Sequence, residues 1–388
     1  MKFIFAVSGS PGHIDFGGHG YMNVARNLVK HGHEVIWLSF GGNVETLAKE
    51  RFTVETFNQL THLRFTPELV QGFMHNRDHD QVQQSLLCSD EFLKKLQQRK
   101  PDFVCLDRVL GLAPMALDQL NIPYAAVGTP GGHWIRMRGE GGAVIHDGPV
   151  EQYLYISNYI CSCLGWKKSN IGSSWITSSF LNIIFLSHNF YSSLIKTERL
   201  ASVNCFTQES SKREEIRIGL SFGNTGYKVD DMKELLRFLS SRGIAMDVFV
   251  GNRHVLKEEL KDLYKSRIVN IHGWTDFSTA TKKLSTFIFF GGVGTIWHCL
   301  NAYTPMVILS GGVGDQIVNG RAVEFHNIGE HLDQGFSVER DSEELLQRIT
   351  DFSWIEECQN NIKYLRQADQ FSDTLDSLRL RLEALAKQ

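Results

Sequence analysis

The sequence predicts an α/β protein of two Rossmann-like, doubly wound parallel-sheet domains facing a cleft. Three observations lead there. Short apolar, β-prone runs alternate with amphipathic helical stretches; the alternation recurs in the second half; and a polar segment near Gln208–Glu215 (QESSKREE) divides the halves. Apolar strands between amphipathic helices indicate parallel sheets covered on both faces. Ligands of such sheets bind at the carboxyl ends of the strands.

In the first half, residues 1–210, strands are expected at Phe3–Val7, Glu34–Ser39, Phe103–Leu106 and Tyr124–Val127. Helices are expected at Tyr21–Lys30, Glu91–Arg99 and Leu112–Leu120. In the second, 211–388, strands are expected at Arg217–Ser221, Ala245–Val250, Ile268–Ile271, Thr286–Phe290 and Met306–Leu309. Helices are expected at Asp231–Ser240, His254–Tyr264 and Thr295–Tyr303. The charged segment Ser353–Lys387 reads as a solvated helix that closes this domain and packs back toward the first. Gly131–Ile184 lacks alternation. It reads equally as a loop-and-helix lining for an apolar ligand or as a poorly patterned buried subdomain.

Composition narrows the function. At 388 residues the chain can fill two cores. Hydrophobic content of 42% and charged content of 21% are those of a soluble globular protein. A net charge of −3 creates no field that recruits nucleic acid, and at most peripheral membrane contact is expected. The seven cysteines show no CxxC or Cys/His metal spacing, which fits reduced thiols in the cytoplasm and no metal. The apolar start Met1–Val7 is too short for a signal peptide and reads as the first strand.

The segment Phe290-Gly-Gly-Val-Gly-Thr295-Ile-Trp-His298 carries the most chemistry. A buried strand runs into glycines and then a helix. That arrangement presents free backbone N–H groups and a positive dipole end to an anion. Gly291, Gly292 and Gly294 let a diphosphate approach the backbone, and Thr295 adds a hydroxyl donor. Pro305 and then Asp315, Gln316 and Asn319 follow. In the first half, His13 and His19 lie in the loop after the first strand, and Asp107 ends a strand of the same sheet. Histidine suits a general base, and a carboxylate behind it fixes its tautomer. Asp107 also suits a helix N-cap.

Taken in order, these segments resemble the inverting glycosyltransferases of the GT-B fold that act on natural products, lipids and other small molecules. That group includes bacterial macrolide glycosyltransferases and plant and animal UDP-glycosyltransferases. The resemblance spans most of the chain: Pro-Gly-His13, Gly32-His33-Glu-Val, Pro101-Asp-Phe-Val-Cys-Leu-Asp107, Ser221-Phe-Gly223-Asn-Thr225, Trp274, Gly291–Thr295, Pro305, and Asp315-Gln316 with Asn319. It implies transfer from a UDP or dTDP sugar to a hydroxyl of a small apolar acceptor, as in antibiotic biosynthesis. No metal and no cofactor beyond the nucleotide sugar are implied, and the protein would be a monomer or homodimer. His13 would be the base, with His19 second, because the loop is about one helical turn longer than the family pattern; Asp107 would orient the base. Gly223, Thr225 and Gly291–Thr295 would hold the diphosphate. Trp274 would stack on the base, and Asp315, Gln316 and Asn319 would serve the donor sugar.

Two positions depart from the family. Phe290 stands where it has a histidine that meets the phosphates, and His298 where it has a glutamate on the ribose. Phe290 cannot donate a hydrogen bond, and His298 cannot accept like a carboxylate. Thr275-Asp-Phe follows Trp274 in place of the usual residues. The rival expectations are a non-catalytic relative that binds a nucleotide sugar or a partner enzyme, and a nucleotide-sugar epimerase. Asp78-His79-Asp80, near His75, looks like a metal-binding pair, but its polar surroundings read as a solvated loop or helix.

Overall fold

The structure is a computed structural model that describes residues 1–7, 20–39, 41–63, 79–107, 110–127, 149–167, 180–184, 186, 190, 200–202, 206, 214–223, 229–251, 254–260, 268–273, 275–310, 314–367 and 374–388. The chain forms two compact units. The first comprises Met1–Phe185, Lys196–Asn204 and Ser372–Gln388; the second comprises Leu186–Ile195 and Cys205–Phe371.

Unit 1 begins β1 (Lys2–Ala6), α1 (Tyr21–Lys30), β2 (Glu34–Ser39), α2 (Gly42–Lys49), β3 (Thr53–Thr56) and α3 (His79–Arg99). It continues β4 (Phe103–Asp107), α4 (Ala113–Leu120), β5 (Tyr124–Val127), α5 (Pro149–Leu164), β6 (Leu181–Ile184) and β7 (Leu200–Ser202). The strands form one parallel sheet ordered β3-β2-β1-β4-β5-β6-β7. Every residue of β4 and β5 is buried, as the apolar runs require of strands with helices on both sides. α1 stops where Gly32 takes a φ of +81°, which lets the His33 N–H turn back to the Leu28 carbonyl at 3.1 Å. The Tyr21 hydroxyl donates to the Val127 carbonyl at 2.7 Å, tying α1 to the rim of β5.

Unit 2 holds β8 (Arg217–Ser221), α6 (Val229–Ser241), β9 (Ala245–Phe249), α7 (His254–Glu259), β10 (Val269–His272), α8 (Phe277–Ala280) and β11 (Thr286–Phe289). α9 (Val293–Ala302), β12 (Met306–Leu309), α10 (Gly314–Phe325), β13 (Gly329–Leu332), α11 (Val338–Thr350) and α12 (Phe352–Gln367) follow. Its parallel sheet runs β10-β9-β8-β11-β12-β13. One face carries Ile218, Leu220, Met246, Val248 and Ile288 against Met232, Leu235, Leu236 and Leu239 of α6. Gly219 lies on the other face, where a Cβ would meet Leu284 Cδ1 at 2.4 Å and Phe287 Cδ2 at 2.6 Å, so only glycine allows that packing.

The charged segment after Ser353 is two helices. α12 belongs to unit 2, and α13 (Leu375–Leu385) belongs to unit 1. α13 starts at a Thr374 cap whose hydroxyl accepts from the Ser377 N–H at 3.1 Å. It buries Leu378 and Leu382, while Asn27 Nδ2 donates to Asp376 at 3.2 Å and His33 meets Glu383 at 2.8 Å. The unpatterned stretch 131–184 contributes α5 and the inner strand β6.

Candidate functional site

Strand order reverses once in each sheet. In unit 1 the chain winds one way from β1 through β2 and β3, then the other way from β4; in unit 2 the reversal lies between β8 and β11. At such points adjacent βα loops diverge and leave a crevice at the carboxyl ends of the strands. The residues marked in the sequence fall on both reversals. Asp107 ends β4 beside β1, while Gly223 follows β8 and Gly291 follows β11.

The unit 2 reversal is built in detail. Gly291 has a φ of +81°, and a Cβ there would lie 2.9 Å from Ile308 Cγ2 and 3.3 Å from the backbone of Gln316. Conformation and space both demand glycine. Gly292, exposed and extended, is the N-cap of α9, which begins at Val293, two residues earlier than the sequence pattern suggests. Gly292 has no side chain with which to cap this helix. Its first N–H groups are therefore not claimed by a cap, and the dipole end favours an anion. Gly294 and Thr295 lie half-buried in the first turn. Gly223, with a φ of +55°, lies across the reversal, its Cβ direction 3.6 Å from the Phe290 ring.

Two amides of α10 hold the turn from behind. The Gln316 amide faces two carbonyls, which assigns its nitrogen to that side: Nε2 then donates to Phe290 at 3.0 Å and Ser310 at 2.7 Å. Asn319 Nδ2 donates to the Gly291 carbonyl at 2.7 Å. Both side chains are buried, Asn319 with 1% exposure. The structure thus gives these two residues a role the sequence did not reveal: they fix the carbonyls of the glycine turn. Asp315 lies in the first turn of α10.

The two departures have different surroundings. The Phe290 ring is 4% exposed and packs among Ile288, Phe222 and Leu309, so its side chain belongs to the core. His298 is nearly buried on α9, edge-on to Phe277 (5.9 Å) and Trp297 (5.2 Å). Asp276, exposed, precedes Phe277 and caps α8 through the Ser278 N–H at 2.8 Å. The Ser278 hydroxyl chiefly holds its carboxyl below the usual range. Burial, the next cause in size, opposes this, and the Ser278 N–H, His298 and Lys282 add to the lowering.

At the unit 1 reversal Asp107 is 2% exposed, one residue past the Ala6–Leu106 register pair. It sits beside the point where the chain leaves β1 for the segment holding His13 and His19. Asp107 does not cap α4, whose N-cap is Leu112. His13, His19, Thr225, Trp274, His75 and Asp78 lie outside the described residues, and His79 and Asp80 open α3. Among the described residues no group of three or more His, Cys, Asp or Glu is placed to hold a metal ion, and no helix is long and apolar enough to cross a membrane. Cys88, Cys105, Cys161, Cys163, Cys299 and Cys358 are not in disulfides.

A second cluster escaped the sequence reading. Ser310 Oγ lies 2.9 Å from His331 Nε2 and 3.3 Å from Asp333 Oδ1. Asp333 approaches that same imidazole nitrogen, at 3.8 Å, so there is no relay through the ring, and Ser310 is fully buried. The cluster braces the carboxyl ends of β12 and β13. Gly320 makes room for it, since a Cβ there would lie 2.2 Å from the His331 ring.

No protein-family model matches the chain, and no curated protein matches it in sequence. Solved structures do match over its whole length. The glycosyltransferase VinC in complex with dTDP is 15% identical, with a TM-score of 0.69 and all of both chains covered. The glycosyltransferase of kitacinnamycin is 14% identical, with a TM-score of 0.72 over 99% of this chain and 98% of that one. The calicheamicin glycosyltransferase CalG4 is 14% identical, with a TM-score of 0.70 over 100% and 98%. The fold is therefore GT-B: two Rossmann-like parallel-sheet units, shared with these glycosyltransferases.

Proposed function

We propose that the chain is a glycosyltransferase that moves a sugar from a nucleoside diphosphate to a hydroxyl of a small, apolar natural-product or lipid acceptor, inverting the anomeric carbon. The observation that carries this reading is the glycine turn of unit 2. Gln316 and Asn319 tie its carbonyls down, and it opens on an uncapped helix start at a strand-order reversal. A departing diphosphate needs donors fixed in advance where its charge develops. A protein of the same fold, VinC, was crystallised with dTDP.

In this reading the acceptor oxygen attacks the anomeric carbon in line, and the bond to the diphosphate breaks. His13, or failing it His19, takes the acceptor proton, and Asp107 steadies the imidazolium. Thr225 and Thr295 donate to the diphosphate, Trp274 stacks on the base, and Asp315 holds sugar hydroxyls. Gln316 and Asn319 act through the turn. The helix start carries the leaving-group charge without a metal, no further cofactor takes part, and the protein works in the cytoplasm as a monomer or homodimer.

Thermal shift with UDP, dTDP and GDP sugars tests the reading. A ligand at 100 times its Kd adds about 2.7 kcal/mol. No shift with any of them overturns it. The Phe290 ring in the core and His298 among aromatic rings favour a second reading, a donor binder without turnover. Stabilisation by a nucleotide sugar, with neither transfer nor donor hydrolysis, would select it.

A further inference from the structure

His272 ends β10, the edge strand of the unit 2 sheet. Its imidazole is held on two sides. One ring face stacks on Phe249 (5.1 Å, 20°), which Phe277 and Phe287 in turn hold edge-on at 5.2 and 5.6 Å. Nε2 lies 2.7 Å from Asp247 Oδ1. Asp247 also accepts from Arg217 Nη1 at 3.0 Å and Asn270 Nδ2 at 3.2 Å. Burial pushes the Asp247 carboxyl up, but the bonds from His272, Arg217 and Asn270 outweigh burial and hold it below the usual range. It is therefore ionised near neutral pH and can only accept, which makes Nε2 the protonated nitrogen. In the neutral ring Nδ1 is then an acceptor, and no described residue hydrogen-bonds to it. The His272 side chain stays 39% exposed, against 15% for the Asp247 beneath it.

A half-exposed imidazole, stacked behind and locked in one tautomer, suits the recognition of a flat ring that offers an N–H. Arg217 and Asn270 already bind Asp247, so pinning the sheet edge does not by itself call for an imidazole. The position also fits. From β11, which feeds the glycine turn, β10 is three strand spacings away, about 14 Å. That is comparable with the span of an extended nucleoside diphosphate whose phosphates lie at the turn.

We infer that His272 reads the nucleobase of the donor, with Nδ1 accepting the imide N–H of a pyrimidine-2,4-dione, uracil or thymine. The inference rests on the donor-site reading above and adds to it the residue that recognises the base.

Calorimetry with UDP and N3-methyl-UDP tests it, on the wild type and on His272→Phe, with circular dichroism as the check on folding. His272→Phe keeps a flat ring over Phe249 and removes the acceptor. The wild type is expected to bind UDP about 5- to 10-fold more tightly than the methylated nucleotide, the worth of one hydrogen bond. His272→Phe is expected to bind the two alike, near the wild-type level for N3-methyl-UDP. Equal binding of both by the wild type overturns the inference, and so does a variant that keeps the wild-type ratio. Should His272→Phe not fold, the wild-type ratio decides alone. Binding of none of UDP, dTDP and GDP by the wild type would instead remove the donor-site reading, and this inference with it.

Discussion

At Gly291 three demands coincide: a left-handed backbone, no room for a methyl group, and a carbonyl held from behind by Asn319. Gly291→Ala should lower stability by more than about 1 kcal/mol, because strain and clash add. Urea denaturation measures this. Asn319→Leu removes the buried donor and leaves the Gly291 carbonyl without it, at a cost of about 1–3 kcal/mol. Donor affinity should fall in the same variant because the turn loosens. A variant that weakens donor binding at unchanged stability would instead make Asn319 a direct donor contact. For the base, His13→Ala should cost about 100-fold or more in transfer with donor binding intact. Steady-state rates and calorimetry on His13→Ala and His19→Ala decide between the two: full rate in the first and loss in the second moves the role to His19.

Whole elements add constraints that single residues do not. α10 carries both turn-fixing amides, and its packing against β13 depends on Gly320 and His331. Burial holds the His331 imidazole below its ordinary value and Arg321 pushes the same way, while Asp333 and Glu324 oppose them. The unfolded chain therefore binds a proton more readily than the native state. The stability that neutral His331 contributes is present above about pH 6.5 and is lost as pH falls through its depressed native value. Urea denaturation from pH 8 to pH 5 should show this loss, and His331→Gln should flatten it.

Elements with strong periodic signals were legible in the sequence. α1, β2, β5, β8 and β12 have the bounds their apolar patterns predict. β3, β7 and β13 were not, because they are short and carry Glu55, Ser202 and Glu330 in place of an apolar run. β6 was hidden by its position in an unpatterned stretch. At the site, glycines and an acidic residue at a strand end were readable as types. The amide roles of Gln316 and Asn319 were not, since they depend on α10 lying behind the turn. His272 and Asp247 were missed because they meet only through the register of β9 and β10.

At the scale of the whole molecule, unit 1 depends on the final helix. α13 covers α1 with Leu378 and Leu382, both fully buried, and with Asp376 and Glu383. Burying a leucine contributes about 1.5–3 kcal/mol. Removing 372–388 should therefore destabilise unit 1 by several kcal/mol and leave unit 2 largely unaffected. Hydrogen exchange resolved along the chain would detect it as lost protection in α1 and β2; equal loss in both units would refute it.

The same helix sets an order of events on the ribosome. Unit 1 emerges first, but its last piece is made after all of unit 2. At about 5–20 residues per second, α1 waits roughly 20–70 seconds for its cover. Unit 2 lacks that delay, because its last segment, up to Phe371, precedes α13. The half that carries Asp107 is thus begun before unit 2 and finished after it. Until α13 is made, the side of α1 that it covers is a surface that nascent-chain chaperones can hold.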